Sequence, residues 1–129
     1  MKLLIINNHD SFTFNLVDLI RKLNLPYDVL NVEDLKESTA EKYSHILISP
    51  GPDVPQAYPQ LFSMLEKYYQ KKSILGVCLG HQTLCEFFGG TLYNLQKVRH
   101  GQKRILKVRS NSPLFFSLPS EFNIGLYHS

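Results

Sequence analysis

The sequence predicts an α/β fold, with a mostly parallel central sheet and helices on both of its faces. Four short apolar runs, at residues 2–7, 27–32, 44–49 and 74–77, alternate with stretches of helical periodicity. This alternation is typical of parallel sheets, because each parallel strand reaches the next through a crossover connection. No linker, repeat or low-complexity run interrupts the 129 residues, 43% of which are hydrophobic, and this predicts one domain, residues 1–129.

The first half of the chain supplies three of the predicted strands and one helix. Residues 2–7 are apolar at most positions, which predicts a central strand covered on both faces. Ser11 is a candidate N-cap for the helix that follows. The spacing of five apolar residues predicts a single buried stripe on this helix, formed by Phe12, Leu16, Leu19, Ile20 and Leu23. Residues 27–32 and 44–49 are the second and third predicted strands.

The second half begins with another helix and then changes character. Pro59 starts this helix, and its predicted inward residues are Leu61, Leu65 and either Tyr68 or Tyr69. Residues 74–77 form the fourth predicted strand. After Gly90 the apolar segments become short, which predicts a hairpin of residues 92–98 and 104–109 around His100-Gly101, and a further strand at residues 122–127.

Cys78 lies where the fourth strand is predicted to turn sharply into a helix. Gly76 and Gly80 flank it, each two residues away, and remove side chains that would crowd such a turn. This pattern is the cysteine form of the nucleophile elbow. The N-terminus of the following helix offers unpaired N–H groups and a positive dipole end, which favour a thiolate. The pattern therefore predicts a nucleophile suited to attack on an acyl carbon.

Two other interpretations of Cys78 are open. Free cysteines are often small, inert core residues, and Cys78 sits at a strand end where such a residue fits. A metal site is the second, because His81 and Cys85 lie on one helical face close to Cys78. A structural zinc site usually has four ligands, and no matching fourth stands out, so we expect no metal and no cofactor. The two cysteines do not form a disulfide framework.

Two further segments have a functional and an ordinary interpretation. Pro50-Gly51-Pro52 follows a predicted strand end, where ligands bind in parallel α/β sheets, but it is also good material for a surface turn. Gln82 is either a substrate contact or a solvated residue in the first turn of the helix. Asp10-Ser11 is either a helix cap or part of the site or partner surface.

Charge and hydropathy limit the partners. The net charge of +3 is too small to indicate nucleic acid, and no aromatic residues interleave with the basic residues of the predicted hairpin. Those basic residues form either a solvated face or a partner surface, and they are Lys97, Arg99, Lys103, Arg104, Lys107 and Arg109. The apolar run at residues 3–6 is too short for a signal peptide or a membrane span. We therefore expect a cytoplasmic protein with no nucleic-acid or membrane partner.

Four segments, in order along the chain, are similar to one family. They are residues 8–15 (Asn-His-Asp-Ser-Phe-Thr-Phe-Asn), 48–52 (Ile-Ser-Pro-Gly-Pro), 76–82 (Gly-Val-Cys-Leu-Gly-His-Gln) and 127–129 (Tyr-His-Ser), with His100-Gly101 as a fifth. The chain resembles the class I glutamine amidotransferases, and most closely the amidotransferase subunit (component II) of anthranilate synthase and aminodeoxychorismate synthase. The Asp-Ser-Phe-Thr segment points to this chorismate-using branch.

The resemblance implies a flavodoxin-like fold and an activity. The expected reaction is hydrolysis of L-glutamine to glutamate through a thioester on Cys78, with the ammonia supplied to a chorismate-binding synthase subunit. The implied oxyanion-hole donors are the backbone N–H groups of Gly51 and Leu79. The implied glutamine-binding residues are Gly51, Pro52, Asp53, Gln82, His128 and Ser129.

The chain also departs from the family pattern. Asp53 and Tyr58 stand where relatives often have glycine. Relatives continue beyond Ser129 to a His-x-Glu segment that supplies the base and its orienting carboxylate, so we expect a domain truncated at its C-terminus and inactive alone. The histidines that match other family positions are not candidates for this base: His9, His45, His100 and His128. The alternative function is a non-catalytic, flavodoxin-like binding module that keeps the cysteine elbow.

Overall fold

The computed structural model describes the backbone of residues 1–128 and the side chains of residues 1–127. The chain divides into a first compact unit, Met1–Leu92, and a second that begins at Tyr93. The first unit contains strands β1 (Leu3–Asn7), β2 (Tyr27–Asn31), β3 (His45–Ile48) and β4 (Ser73–Gly76), and helices α1 (Phe12–Lys22), α2 (Pro59–Tyr68) and α3 (Leu79–Phe87). The second unit contains strands β5 (Arg99–Lys107) and β6 (Glu121–His128).

The four strands of the first unit form one parallel sheet in the order β2-β1-β3-β4. In the centre, Ile5 pairs with Val29 on one side and with Leu47 on the other. All five residues of β1 are buried, as expected for a central strand. The predicted parallel sheet is confirmed, and parallel pairing brings the carboxyl ends of all four strands to the same edge.

Helices cover both faces of this sheet, as predicted. Because side chains alternate along a strand, Leu4 and Ile6 join one hydrophobic cluster while Leu3 and Ile5 join another. Residues of α2 and α3 pack in the first cluster, and residues of α1 pack in the second. Two covered faces explain why these strands are continuous apolar runs in the sequence.

The inward face of α2 agrees with the prediction. Leu61, Leu65 and Tyr68 are buried, and so is Met64, which lies on the same side of the helix. Tyr69, the other candidate, is 39% exposed at the end of the helix.

The predicted inward stripe of α1 is wrong for three of its five residues. Phe12, Leu19 and Leu23 are 63%, 57% and 63% exposed. The helix instead turns a neighbouring face to the sheet, and this face comprises Thr13, Leu16, Val17 and Ile20. Those residues also follow the i, i+3, i+4, i+7 spacing of a helix face. The sequence of α1 is therefore compatible with two buried faces, and packing against the sheet selects this one.

The start of α1 also differs from the prediction. Ser11 already has helical backbone angles and its side chain makes no capping hydrogen bond. Asp10 performs this task, since its carboxylate accepts a hydrogen bond from the Phe12 N–H at 2.8 Å and its carbonyl accepts one from the Thr13 N–H. Asp10 therefore satisfies N–H groups that the first turn of a helix leaves unpaired.

The second unit is an antiparallel pair, but its strands are not those of the predicted hairpin. β5 pairs with β6 along its length, whereas residues 92–98 form no strand. The predicted strand at residues 122–127 is confirmed within β6. His100-Gly101 is not a turn, because the register shifts between His100 and Gln102 and Gly101 has φ +66°. The glycine thus accommodates a bulge inside one long strand.

None of the helices described in residues 1–128 is both long enough and apolar enough to cross a membrane.

Candidate active site

Cys78 occupies the short connection between β4 and α3. Its backbone angles are φ 54° and ψ −108°, which a non-glycine residue rarely adopts. Such a conformation persists only where the surrounding structure enforces it, and it is typical of functional sites. The strand-to-helix turn therefore has the strained geometry of a nucleophile elbow.

The two glycines that flank Cys78 are required by close packing. A β-carbon on Gly76 would overlap the carbonyl group of Gly80 and approach the His81 nitrogen to 2.6 Å. A β-carbon on Gly80 would overlap the carbonyl oxygen of Ile48 at the end of β3. The first turn of α3 therefore rests directly on the backbone of two strands, and this contact fixes the direction in which the helix leaves Cys78.

Cys78 is half-buried. Within the described part of the chain, its thiol neither donates nor accepts a hydrogen bond. The backbone carbonyl oxygen of Cys78 accepts the first hydrogen bond of α3, from the N–H of Gln82 at 2.9 Å. The sulfur thus stands at the positive end of the helix dipole, where negative charge is stabilised.

Gly51 and Leu79, the two predicted oxyanion donors, are brought together. A β-carbon on Gly51 would lie only 2.6 Å from the Leu79 side chain, so the loop and the first turn of α3 are in contact. Within residues 1–128, the backbone N–H groups of Gly51 and Leu79 donate to no carbonyl or side chain. Unpaired backbone N–H groups of this kind are able to stabilise an oxyanion.

Asn8 and Ser49, which were not among the predicted site residues, hold the Gly51 loop from its other side. The Asn8 side chain donates to the Ser49 carbonyl at 2.8 Å, and the Asn8 N–H donates to the Ser49 hydroxyl at 3.0 Å. The Ser49 hydroxyl in turn donates to the Pro50 carbonyl at 2.8 Å. Both residues are fully buried polar residues directly after apolar strands, and that placement is the signal that could have identified them.

The other predicted glutamine-binding residues divide between the two units. Pro52 and Asp53 are exposed and follow Gly51 directly, and Gln82 is half-buried in the first turn of α3. These three residues thus lie on the elements that carry Gly51 and Cys78. The backbone of His128 ends β6 opposite Arg99, in the second unit. Ser129 lies outside the described residues.

The metal interpretation of Cys78, His81 and Cys85 receives no support. Among the described residues, no group of three or more metal-binding side chains is close enough to hold an ion. His81 and Cys85 contact each other, with 3.6 Å between the imidazole Nε2 and the sulfur. Cys85 therefore has an imidazole neighbour of its own, and it lies about two turns along the helix from Cys78.

Comparison with known proteins places this site in a family. The family model for glutamine amidotransferase class-I matches residues 4–129 and so spans both units. The chain belongs to the class I glutamine amidotransferase family.

The similar proteins carry more specific names. A Haemophilus influenzae protein described as "Putative anthranilate synthase component II" is 92% identical over 129 residues, which is 100% of this chain and 67% of that protein. Anthranilate synthase component 2 of Lactococcus lactis is 38% identical over 127 residues, 98% of this chain and 64% of that protein. The chain thus spans about two thirds of the length of these relatives.

A solved structure shows the same fold. A glutamine amidotransferase from Thermotoga maritima superposes with a TM-score of 0.80 over 99% of this chain and 60% of that one, at 22% identity. This likeness confirms the flavodoxin-like fold of the family.

Proposed function

We propose that this chain is the glutaminase part of an anthranilate or aminodeoxychorismate synthase, with Cys78 as the nucleophile. The observation that carries the proposal is the strained backbone of Cys78 beside the two unpaired N–H groups of Gly51 and Leu79. Support for the synthase comes from relatives named anthranilate synthase component 2, a name that implies another component.

The proposed chemistry begins with the Cys78 thiolate and L-glutamine. The sulfur attacks the side-chain amide carbon, and the carbonyl oxygen becomes an oxyanion that accepts hydrogen bonds from Gly51 and Leu79. The C–N bond then breaks, the nitrogen takes up the proton that the base removed from the thiol and leaves as ammonia, and a glutamyl thioester remains on Cys78. Water hydrolyses the thioester, which gives glutamate and restores the thiol.

Glutamine is held by residues close to this carbon. Gln82 lies in the first turn of the helix that follows Cys78, and Pro52 and Asp53 continue the loop that carries Gly51. By resemblance to the family, the backbone at His128 and Ser129 meets the amino-acid end of the substrate.

The base that activates the thiol is proposed to lie outside residues 1–128. Within that part of the chain, no imidazole or carboxylate bonds to the Cys78 sulfur. His9 instead binds the Glu33 carboxylate at 2.7 Å, and His45 bonds to Ser44. The 129-residue chain alone is therefore expected to have little or no glutaminase turnover.

The proposed product route is a chorismate-binding subunit. Ammonia released to water would be wasted, so the site is expected to open toward that partner at the carboxyl edge of the sheet, where the Gly51 loop, Cys78 and Asp10 lie. We also propose that the complex works in the cytoplasm.

The test is a glutaminase assay on an extended chain. This extended chain continues residues 1–129, after Ser129, with the part of the 92%-identical H. influenzae protein that the match leaves out. We expect it to hydrolyse glutamine, Cys78→Ala to abolish the activity, and the matched variant Cys85→Ala to retain it. Hydrolysis that survives Cys78→Ala would overturn the proposal.

A non-catalytic binding module is the second candidate, favoured by the absence of a base beside Cys78 in residues 1–128. It predicts that the extended chain releases no ammonia from glutamine, whereas the first candidate predicts turnover that depends on Cys78.

A further inference from the structure

The Tyr58 hydroxyl donates a hydrogen bond to the carbonyl oxygen of Pro52, with 2.9 Å between the two oxygens. Pro52 follows Gly51 directly, so the bond ends on the loop that carries a candidate oxyanion donor. The partners are six residues apart, and the bond closes the segment from Pro52 to Tyr58 into a compact loop.

Tyr58 is itself held in place, so it can anchor this loop. It directly precedes α2, and its half-buried ring packs against the hydrophobic cluster that contains Leu61 and Leu65. Burial, and then the negative charge of Asp53, raise the pKa of Tyr58. The phenol therefore stays protonated at neutral pH and remains a hydrogen-bond donor.

Asn8 and Ser49 hold the Pro50-Gly51 part of the loop, whereas the backbone of Pro52 and Asp53 has few bonds of its own. Asp53 has φ +64°, a left-handed conformation that costs a non-glycine residue about 1 kcal/mol. Pro50, Pro52 and Pro55 have no N–H group and cannot bond the loop to the sheet. Within residues 1–128, the Tyr58 hydroxyl is the one hydrogen-bonding group that reaches Pro52 or Asp53.

A second contact ties the far side of the loop to the nucleophile's helix. The Gln56 side chain donates to the Glu86 carboxylate of α3 at 2.6 Å. Together with the packing of Gly51 on Leu79, this contact attaches the loop to α3, and the Tyr58 hydroxyl attaches it to the residue that precedes α2. A loop that is attached to both α3 and Tyr58 holds its N–H groups in one orientation, and stabilisation of an oxyanion requires such fixed donors.

We propose that Tyr58 is a positioning residue for glutamine hydrolysis: its hydroxyl fixes the Pro52–Asp53 peptide, which follows Gly51, and so limits the motion of the loop that carries the Gly51 N–H. The inference rests on the proposed function of Cys78, and it assigns to Tyr58 a role in the transition state without contact to the substrate.

The first test measures the tether itself in the 129-residue chain. Tyr58→Phe removes the hydroxyl and keeps the ring in the cluster. We expect the ¹⁵N order parameters of Gly51 and Asp53 to fall from about 0.85 toward 0.6, with α2 unchanged. The matched control is Tyr69→Phe, which removes a hydroxyl that contacts Gln70 instead of the loop. Unchanged order parameters in Tyr58→Phe would overturn the proposal.

The second test measures the consequence for catalysis in the extended chain. The oxyanion exists only after attack, so Tyr58→Phe should lower kcat about tenfold and leave KM within about twofold. A raised KM with unchanged kcat would instead assign Tyr58 to substrate binding and overturn the positioning role. Unchanged kcat and KM would overturn it as well.

A second variant shows what the hydroxyl opposes. Glycine adopts the left-handed conformation without strain, so Asp53→Gly combined with Tyr58→Phe should recover part of the lost kcat. A double variant with the same kcat as Tyr58→Phe would show that backbone strain at Asp53 does not contribute to the loss.

The two tests separate this inference from the proposed function. An extended chain without any glutaminase activity would overturn the proposed function, and the catalytic role of Tyr58 with it. The order parameters of the 129-residue chain would still report whether the hydroxyl fixes the loop.

Discussion

Gly80, in the first turn of α3, lies directly against the backbone of Ile48 at the end of β3, so closely that residue 80 has no room for a β-carbon. This contact connects the helix that begins after Cys78 to a central strand of the sheet. The position of Cys78 is therefore set by the core of the first unit.

Gly80→Ala should destabilise the chain by about 3 kcal/mol, because the obstacle is strand backbone that cannot move aside. Gly89→Ala is the matched control: Gly89 has φ +88° and open space around it, so only backbone strain of about 1 kcal/mol is expected. Urea unfolding of the three proteins measures the difference. Equal losses for the two variants would show that the helix does not rest on β3.

Cys78 should react with a small alkylating agent several-fold faster than Cys85 near neutral pH. Both cysteines are half-buried, but Cys78 stands at a helix N-terminus, whereas Cys85 lies within the helix against His81. Labelling rates of Cys78→Ser and Cys85→Ser isolate each thiol. His81→Gln is the control, because it should change only the rate of Cys85. A faster Cys85 would contradict the elbow assignment.

Stability should fall as the pH rises from 10 toward 12, and Tyr43 should account for part of the loss. Burial, and then the hydrogen bond to Asp28, raise the pKa of Tyr43 from 10.0 to about 12. Below pH 10 the phenol is neutral in both states. Between the two values the unfolded chain loses the proton first, which favours unfolding by up to about 1.4 kcal/mol per pH unit.

Tyr43→Phe tests this pH dependence. The variant should be about 1 kcal/mol less stable at neutral pH, because it loses the bond to Asp28. Its free energy of unfolding should then decline less steeply above pH 10 than that of the wild type. Parallel curves from denaturant titrations would show that Tyr43 keeps its ordinary pKa in the folded chain.

Lys103→Glu in the extended chain should slow association with a chorismate-binding synthase subunit, and the effect should shrink with salt, because exposed charges act mainly on the association rate. Lys107→Glu should have a smaller effect, since Lys107 already pairs with Glu121 at 3.2 Å. Stopped-flow binding measures both rates. Indifference to both substitutions would make β5 a solvated face, and no binding at any salt concentration would contradict the partnership.

The parallel sheet and the elbow could be predicted from the sequence because their signals are local. A buried parallel strand is a continuous apolar run, as in β1, and the elbow needs only Gly76, Cys78 and Gly80 within five residues. The inward face of α2 could be predicted at Leu61 and Leu65, whereas the choice between Tyr68 and Tyr69 stayed open until packing placed Tyr68 inside.

Tertiary packing decides the features that the sequence did not reveal. α1 carries more apolar residues than its buried face can hold, so Phe12 and Leu19 are exposed while the polar Thr13 is buried. The bonds between Asn8 and Ser49 join residues 41 apart, so the position of each residue after an apolar run could mark it as a site residue but could not show that the two are partners. The bulge at Gly101 depends on the partner strand β6, which lies beyond a long connection.

The most direct test of the central claim is acid quenching of the extended chain during turnover of glutamine, followed by mass spectrometry with fragmentation. A single proteolytic peptide carries both cysteines, and fragmentation distinguishes them. We expect a glutamyl group on Cys78 and an unmodified Cys85. Continued hydrolysis with no adduct on Cys78, or with the adduct on Cys85, would contradict the central claim.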